Sequence, residues 1–264
     1  MSAEKTLSWL KAMEHPEGGI RAWPGHKAYP EVTGYLIPTL LKYGEREYAE
    51  RLADWLESIQ NDGGSWNGLE GGPATFDTAA ILQGLWASGH GTAATMAYDW
   101  LKSLETPEGT LPASPTDAVR VYTMRATAIM HNERGADWWT QHLHEFRHER
   151  SHYIAYALEG LWMMGYHDLV RDWLEKARCP MLWMWPGSGL VDYCATAQIG
   201  LLKAWAGMDH MPYLTYLRHV QRGDGSFPMS FTWTAKYYLD LEHAAADKDA
   251  SVIANNRPLA QGER

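Results

Sequence analysis

Cys179 and Cys194 are the only thiols in 264 residues, too few for the disulfide framework that staples small secreted domains. Two thiols suit a reducing compartment, so a soluble cytoplasmic protein is expected. No run reaches the ~18 consecutive apolar residues of a membrane span, and MSAEKTLSWLKAME lacks the basic segment and apolar core of a signal peptide. Positive charge is thin: 23 Lys and Arg face 32 Asp and Glu, a net charge of −9 with no basic cluster. Nucleic acid and anionic membrane are therefore poor partners. No spacing matches a Walker loop, a dinucleotide fingerprint, a nucleophile elbow or a paired CxxC zinc site. Neither a cofactor nor a metal is expected.

Phenylalanine is also scarce, with 4 residues against 14 Trp and 14 Tyr. Amphipathic rings carry a polar handle and suit a half-wet wall such as a sugar-binding cleft; they also suit anchoring of one helix layer on another. The chain otherwise reads as six helical hairpins. One class of helix is charged on one face with apolar residues at spacings of three and four, at about 6–14, 47–60, 92–105, 135–146, 167–178 and 210–221. Four of these share related endings, DWLES, DWLKS, DWLEK and TYLRH. The other class is smooth and small-residue-rich: Thr33–Tyr43, Phe76–Ser88, Asp117–His131, Ser151–Met164, Leu190–Ala206 and Phe231–Ala244. A helix apolar on nearly all sides is buried on nearly all sides, so the second class forms an inner ring and the first an outer ring. Stacked hairpins in alternation predict an all-α (α/α)6 toroid as one domain over residues 1–244. From Ala245 to Arg264 the sequence is aperiodic and is expected to be a disordered tail. Loops from outer to inner helix are long and rich in Gly or Pro, except FRHER, and the reverse loops are tight turns.

The long loops and inner-helix starts would meet at one cavity mouth, where the polar residues concentrate. Ionisable groups on apolar helices are costly to bury unpaired, so their presence needs a reason. Asp77, Ser151 and Asp192 precede apolar runs and have an N-cap reading; Glu31 after Pro30 can support a first helical turn; His152 has a reading as a satisfied interior histidine. The chemical reading assigns Glu31 and Asp77 as acid and base, with His152 as a competing base. Arg120 and Lys236, with Arg147 and Arg150 from the fourth loop, would fix a carboxylate or phosphate, and His148 stands among the polar residues of that loop. Trp66, Trp233 and Tyr156 would offer stacking faces, and Tyr29, Thr33, Tyr35, Thr78, Tyr122, Asp192, Tyr193, Cys194 and Gln198 complete the mouth.

At YPEVTGYLIPTLL, SIQNDGGSW, FDTAAILQGL, HYIAYALEGL, YCATAQIGLL and WTAKYYLDL the chain resembles bacterial six-hairpin toroid proteins that accompany glycan and polysaccharide genes. The resemblance implies shared cavity positions at Tyr29, Glu31, Thr33, Tyr35, Asp77, Thr78, His152, Tyr156, Gln198, Trp233 and Lys236. The wider superfamily includes uronyl hydrolases, sugar epimerases and polysaccharide lyases, so it leaves the reaction open. VDYCATAQIGLL is also similar to the zinc-binding segment of protein prenyltransferase β subunits, and QNDGGSW to the repeat of triterpene cyclases. Trp233 and Thr234 stand where the third zinc ligand would fall, and the cyclase acid motif is absent. The expectation is a carbohydrate-active enzyme, a hydrolase, lyase or epimerase, acting on a small-molecule or oligosaccharide substrate. An isoprenoid cyclase or prenyltransferase-like enzyme and a noncatalytic glycan-binding or scaffold protein are the alternatives.

Overall fold

The computed structural model describes residues 3–146, 149–177, 179, 181–184 and 188–247. Among them are twelve α-helices. Outer helices are α1 (Ala3–Ala12), α3 (Arg46–Ser58), α5 (Gly91–Ser103), α7 (Glu133–His142), α9 (His167–Lys176) and α11 (Met211–Val220). Inner helices are α2 (Pro30–Lys42), α4 (Thr75–Ser88), α6 (Thr123–Ile129), α8 (Ser151–Met163), α10 (Tyr193–Trp205) and α12 (Thr232–Ala246). Each inner helix packs on the next, and α12 returns to α2, so the ring closes. This is the (α/α)6 toroid that the alternation of charged and smooth helices predicts. The smooth helices must be enclosed because they have no polar face: every residue of α4 from Thr75 to Leu82 is buried.

The α2–α4 seam is the tightest. A Cβ built on Gly84 would stand 2.3 Å from the Gly34 carbonyl oxygen, and one on Gly34 would stand 2.5 Å from the Ile81 Cα. Bare backbone at both positions lets the two helices approach, which brings together the first turns that carry Glu31 and Asp77.

Four of the long loops close with an isolated antiparallel bridge: Arg21 with Ala28, Asn67 with Pro73, Pro112 with Val119, and Trp183 with Val191. Threonines latch loop to helix. Thr33 Oγ1 accepts from the Ile20 N–H at 2.8 Å, Thr78 Oγ1 from the Trp66 N–H at 3.1 Å, and Thr123 Oγ1 donates to the Leu111 carbonyl at 2.8 Å. Thr33 and Thr78 therefore hold loops down and are fully buried.

The third inner helix is shorter than its periodicity predicts, 123–129 where 117–131 was expected. The reason is local: Ser114 Oγ donates to Asp117 Oδ2 at 3.1 Å and the Ala113 N–H to the Ala118 carbonyl at 3.0 Å, so this stretch makes a turn. Helix α12 runs to Ala246, two residues into the expected tail, and 248–264 lie outside the described residues.

Candidate functional site

A cavity of about 360 Å³ opens where the inner helices begin. Glu31 stands in the first turn of α2 behind Pro30, whose fixed φ suits a helix start. Its carboxylate accepts from Trp233 Nε1 on α12, at 2.8 Å to Oε2 and 3.1 Å to Oε1. Asp77 stands in the first turn of α4, and its Oδ2 accepts from the Tyr29 hydroxyl at 2.5 Å. Both carboxyls are buried, and both border the cavity. No cation lies within ion-pair distance of either among the described residues.

Burial therefore raises both carboxyl pKa values. Glu31 is pushed up to about 8, by burial first and by the charge of Asp77 second, against the Trp233 bond and the more distant Arg125 and Lys236 charges. Asp77 is pushed up to about 6 by burial, opposed by the Tyr29 bond and by its own backbone N–H. Tyr29 is held far above its usual range by burial and then by Asp77 and Glu31, so it stays a donor.

Across the ring, on α8 and α10, His152 Nδ1 lies 2.8 Å from Asp192 Oδ2. Asp192 is also the N-cap of α10, accepting from the Ala195 N–H at 2.9 Å. One carboxylate thus serves both its capping and its cavity reading. Tyr122, Tyr156, Tyr193, Cys194 and Trp233 border the same cavity. Burial, then Asp192, pushes the Cys194 thiol well up, and Cys194 Sγ contacts Gln198 Oε1 at 3.6 Å. Among the described residues no group of three His, Cys, Asp or Glu side chains is placed to hold a metal ion.

Five of the expected binding residues stand elsewhere. Trp66 is fully buried under its loop with Nε1 donating to the Leu56 carbonyl at 2.9 Å, so it offers no stacking face. Arg120 precedes the shortened α6 and faces a separate recess with Glu70, Asp117 and Glu149, behind Tyr122 and Tyr153. Tyr35, Gln198 and Lys236 do not line the cavity and follow its wall residues Glu31, Cys194 and Trp233 by about one helical turn. Tyr35 bonds the Tyr156 hydroxyl at 2.7 Å and the Tyr237 hydroxyl at 3.0 Å; Lys236 pairs with Asp240 at 2.9 Å and sits over the Tyr35 and Tyr237 rings. The capping reading fails for Asp77 and Ser151: the N-caps of their helices are Ala74 and Arg150, and the Ser151 hydroxyl donates to the Trp183 carbonyl instead. Arg150 reaches the cavity, with its guanidinium over the Tyr153 ring and Nη2 3.2 Å from Met184 Sδ. Arg147 and His148 lie outside the described residues.

Trp23, Phe76, Tyr153, Met184, Met229 and Phe231 also line the cavity, outside the set expected from the sequence. For Trp23 a signal existed. HPEGGI, QNDGGSW, PEGTL and GDGSF align so that Ile20, Trp66, Leu111 and Phe227 are equivalent, and all four are buried plugs. Trp23 and Leu69, each three residues later, are the ones that face the cavity.

No family model matches the chain, and no curated protein does. Solved structures share its fold. A protein from Actinoplanes superposes with TM-score 0.72 at 15% identity, covering 92% of this chain and 98% of its own. An alpha-amylase from Clostridium perfringens gives 0.71 at 11% identity, covering 92% and 98%. A type II terpene cyclase from Scytonema, solved with its substrate geranylgeranyl dihydroxybenzoate, gives 0.67 at 15% identity, covering 92% and 96%. The chain is thus similar in fold to helical toroids of different chemistries, and at these identities the likeness extends to fold alone.

Proposed function

We propose that the cavity is the active centre of an acid–base enzyme acting on a carbohydrate or sugar derivative. The observation that carries this is the pair Glu31 and Asp77: two buried carboxyls on adjacent helices whose environments push their pKa values up to different extents. Near neutral pH Glu31 keeps its proton and serves as general acid, while Asp77, held by the Tyr29 hydroxyl, is largely ionised and serves as base or nucleophile. Trp233 fixes the Glu31 carboxyl by its indole N–H. Tyr122, Tyr153 and Tyr156 offer ring faces for sugar C–H surfaces, and the His152–Asp192 pair offers a second polar anchor across the cavity. Hydrolysis, elimination and epimerisation all use such a pair.

The test is a screen of oligosaccharides and sugar acids with product analysis by mass spectrometry, repeated with Glu31→Gln and Asp77→Asn. Each variant should lose about 10²–10⁴ in turnover while still binding ligand. Unchanged turnover in either would remove it from the chemistry. A ligand that binds all forms with no turnover in any would favour a noncatalytic glycan-binding role.

A second reading, cyclisation of a polyprenyl chain started by a proton from Glu31, is favoured by the aromatic and Met-rich remainder of the wall, with Trp23, Phe76, Phe231, Met184 and Met229. Conversion of a polyprenyl compound to a cyclic product, with no sugar turned over, would select it.

A further inference from the structure

Large exposed apolar side chains gather on one face of this molecule. Ile59, Leu69, Met181, Trp183, Leu190 and Met229 all lie on the outer-to-inner loops that surround the cavity mouth; among the described residues only Met96 and Met211 lie elsewhere. Leu69 and Met229 are cavity wall and solvent-exposed surface at once, at 39% and 47% exposure, which places them on the lip. The bridged ribbon before α10 extends that lip. Its Met184 and Val191 border the cavity, and their chain neighbours Trp183 and Leu190 are 42% and 52% exposed.

The tip that carries Met229 is held against its backbone preference. Met229 and Ser230 have φ of 69° and 53°, a left-handed pair without glycine. Such a conformation persists only where its surroundings fix it, and Arg222 Nη1 donates to Ser230 Oγ at 2.8 Å across the loop. An exposed methionine is thus kept at the mouth at a cost in backbone energy. Singly scattered apolar residues need no explanation, but a cluster continuous with a cavity marks a contact surface.

We propose that the substrate is an amphiphile: a polar head, a sugar under the reading above, seated at Glu31 and Asp77, and a single hydrocarbon chain leaving over Leu69, Met229, Trp183 and Leu190. The lip is continuous with the site, which identifies its occupant as part of the same molecule. A net charge of −9 disfavours an anionic bilayer as the occupant, whereas a lone uncharged chain meets no such repulsion.

The test uses calorimetric titration, below micelle concentration, of two series with tails of six, eight and ten carbons: n-alkyl β-glucosides and n-alkyl dimethylamine oxides. Affinity for the glucosides should rise about two- to fourfold per added methylene, and Trp183→Ser with Leu190→Ser should flatten that slope. Circular dichroism and thermal melting of the double variant establish that it folds; Leu69→Ser alone serves as a second probe. An equal slope in both series with no preference for the sugar head keeps the amphipathic lip and sinks the sugar reading. Glucose and maltose binding without any chain-length slope keeps the sugar reading and overturns the amphiphile. A slope unchanged in both lip variants, or no saturable binding of either series, overturns it as well. So does sedimentation with phosphatidylcholine vesicles that is lost in the double variant while the alkyl slope is absent, since a membrane surface would then be the occupant.

Discussion

The inner helices carry buried charge at two depths, and the two depths are built differently. At the mouth, Glu31 and Asp77 bond to an indole and a phenol, with no cation within ion-pair distance among the described residues. A turn or two deeper, carboxylates meet cations: Glu159 with Arg125 at 3.2 Å, and Asp240 with Lys236 at 2.9 Å and Lys42 at 3.0 Å. The electrostatic outcome is opposite. Burial raises the mouth carboxyls. For Asp240 burial acts in the same direction, but Lys236 and Lys42 overcome it and hold its carboxyl well below the usual range. Three tyrosines separate the tiers, with Tyr35 bonded to Tyr156 and Tyr237, and Tyr237 donating to Glu159 at 2.7 Å. Pairing makes the lower tier structural; lack of pairing leaves the upper tier able to exchange protons near neutrality.

The largest expected effect lies in the lower tier. Arg125→Met leaves Glu159 buried without its guanidinium and should cost about 3–5 kcal/mol in urea denaturation. Asp77→Asn in the upper tier removes a charge with no ion partner among the described residues, and stability at pH 8 should be unchanged or higher. Equal losses from the two would erase the distinction.

Glu31 makes the upper tier pH-sensitive in a defined sense. Its folded pKa lies above its unfolded value near 4.5, so up to that pH both states hold the proton and nothing is lost. From there to about 8 the unfolded chain gives up the proton first, and stability falls, at most ~1.4 kcal/mol per pH unit. Glu31→Gln should therefore raise the melting temperature at pH 8 by several degrees and leave it nearly unchanged at pH 4. A stabilisation independent of pH would mean that Glu31 titrates normally.

The helix seam comes next. Gly84→Ala forces a methyl against the Gly34 carbonyl and should destabilise by about 1–3 kcal/mol, despite alanine's better helix propensity, while weakening the electrostatic coupling of Glu31 to Asp77. Tyr29→Phe removes the donor that favours ionised Asp77, so the Asp77 midpoint should move further up, at a stability cost of about 1 kcal/mol. A pH titration of labelled Asp carboxyl carbons reads that shift; a downward movement would contradict the account. Smallest is Arg46→Ala, which breaks an exposed pair with Glu50 and should change stability by under about 0.5 kcal/mol.

Much of the ring was legible because its cause is periodic. A charged face on α3 or α9 and an apolar surface all round α4 can be read from residue spacing alone. The mouth was legible in part for the same reason, since Glu31, Asp77 and His152 are ionisable residues at the start of smooth helices. Depth was not. Glu31, Tyr35 and Thr39 share one stripe of α2, as His152, Tyr156 and Glu159 share one of α8, yet only where each helix begins decides which member meets the cavity. The sequence pattern puts Tyr35 and Lys236 at the mouth, and they lie beneath it; it does not single out Arg125, Glu159 and Asp240. The stripes at spacings of three and four could have revealed them. Trp66 misled because an aromatic in a glycine-rich loop suits a stacking face as well as a core plug, and the Thr78 latch that decides between them joins residues twelve apart.

The central claim is that Glu31 and Asp77 titrate above the ordinary carboxylate range whereas Asp240 titrates below it. Carbon-13 NMR with labelled Glu and Asp carboxyls, titrated from pH 3 to 10 and assigned by Glu31→Gln, Asp77→Asn and Asp240→Asn, measures it directly. The account predicts a Glu31 midpoint near 8 and an Asp77 midpoint near 6, with Asp240 ionised throughout. Midpoints for Glu31 and Asp77 at or below about 4.5, the ordinary carboxylate range, would contradict it.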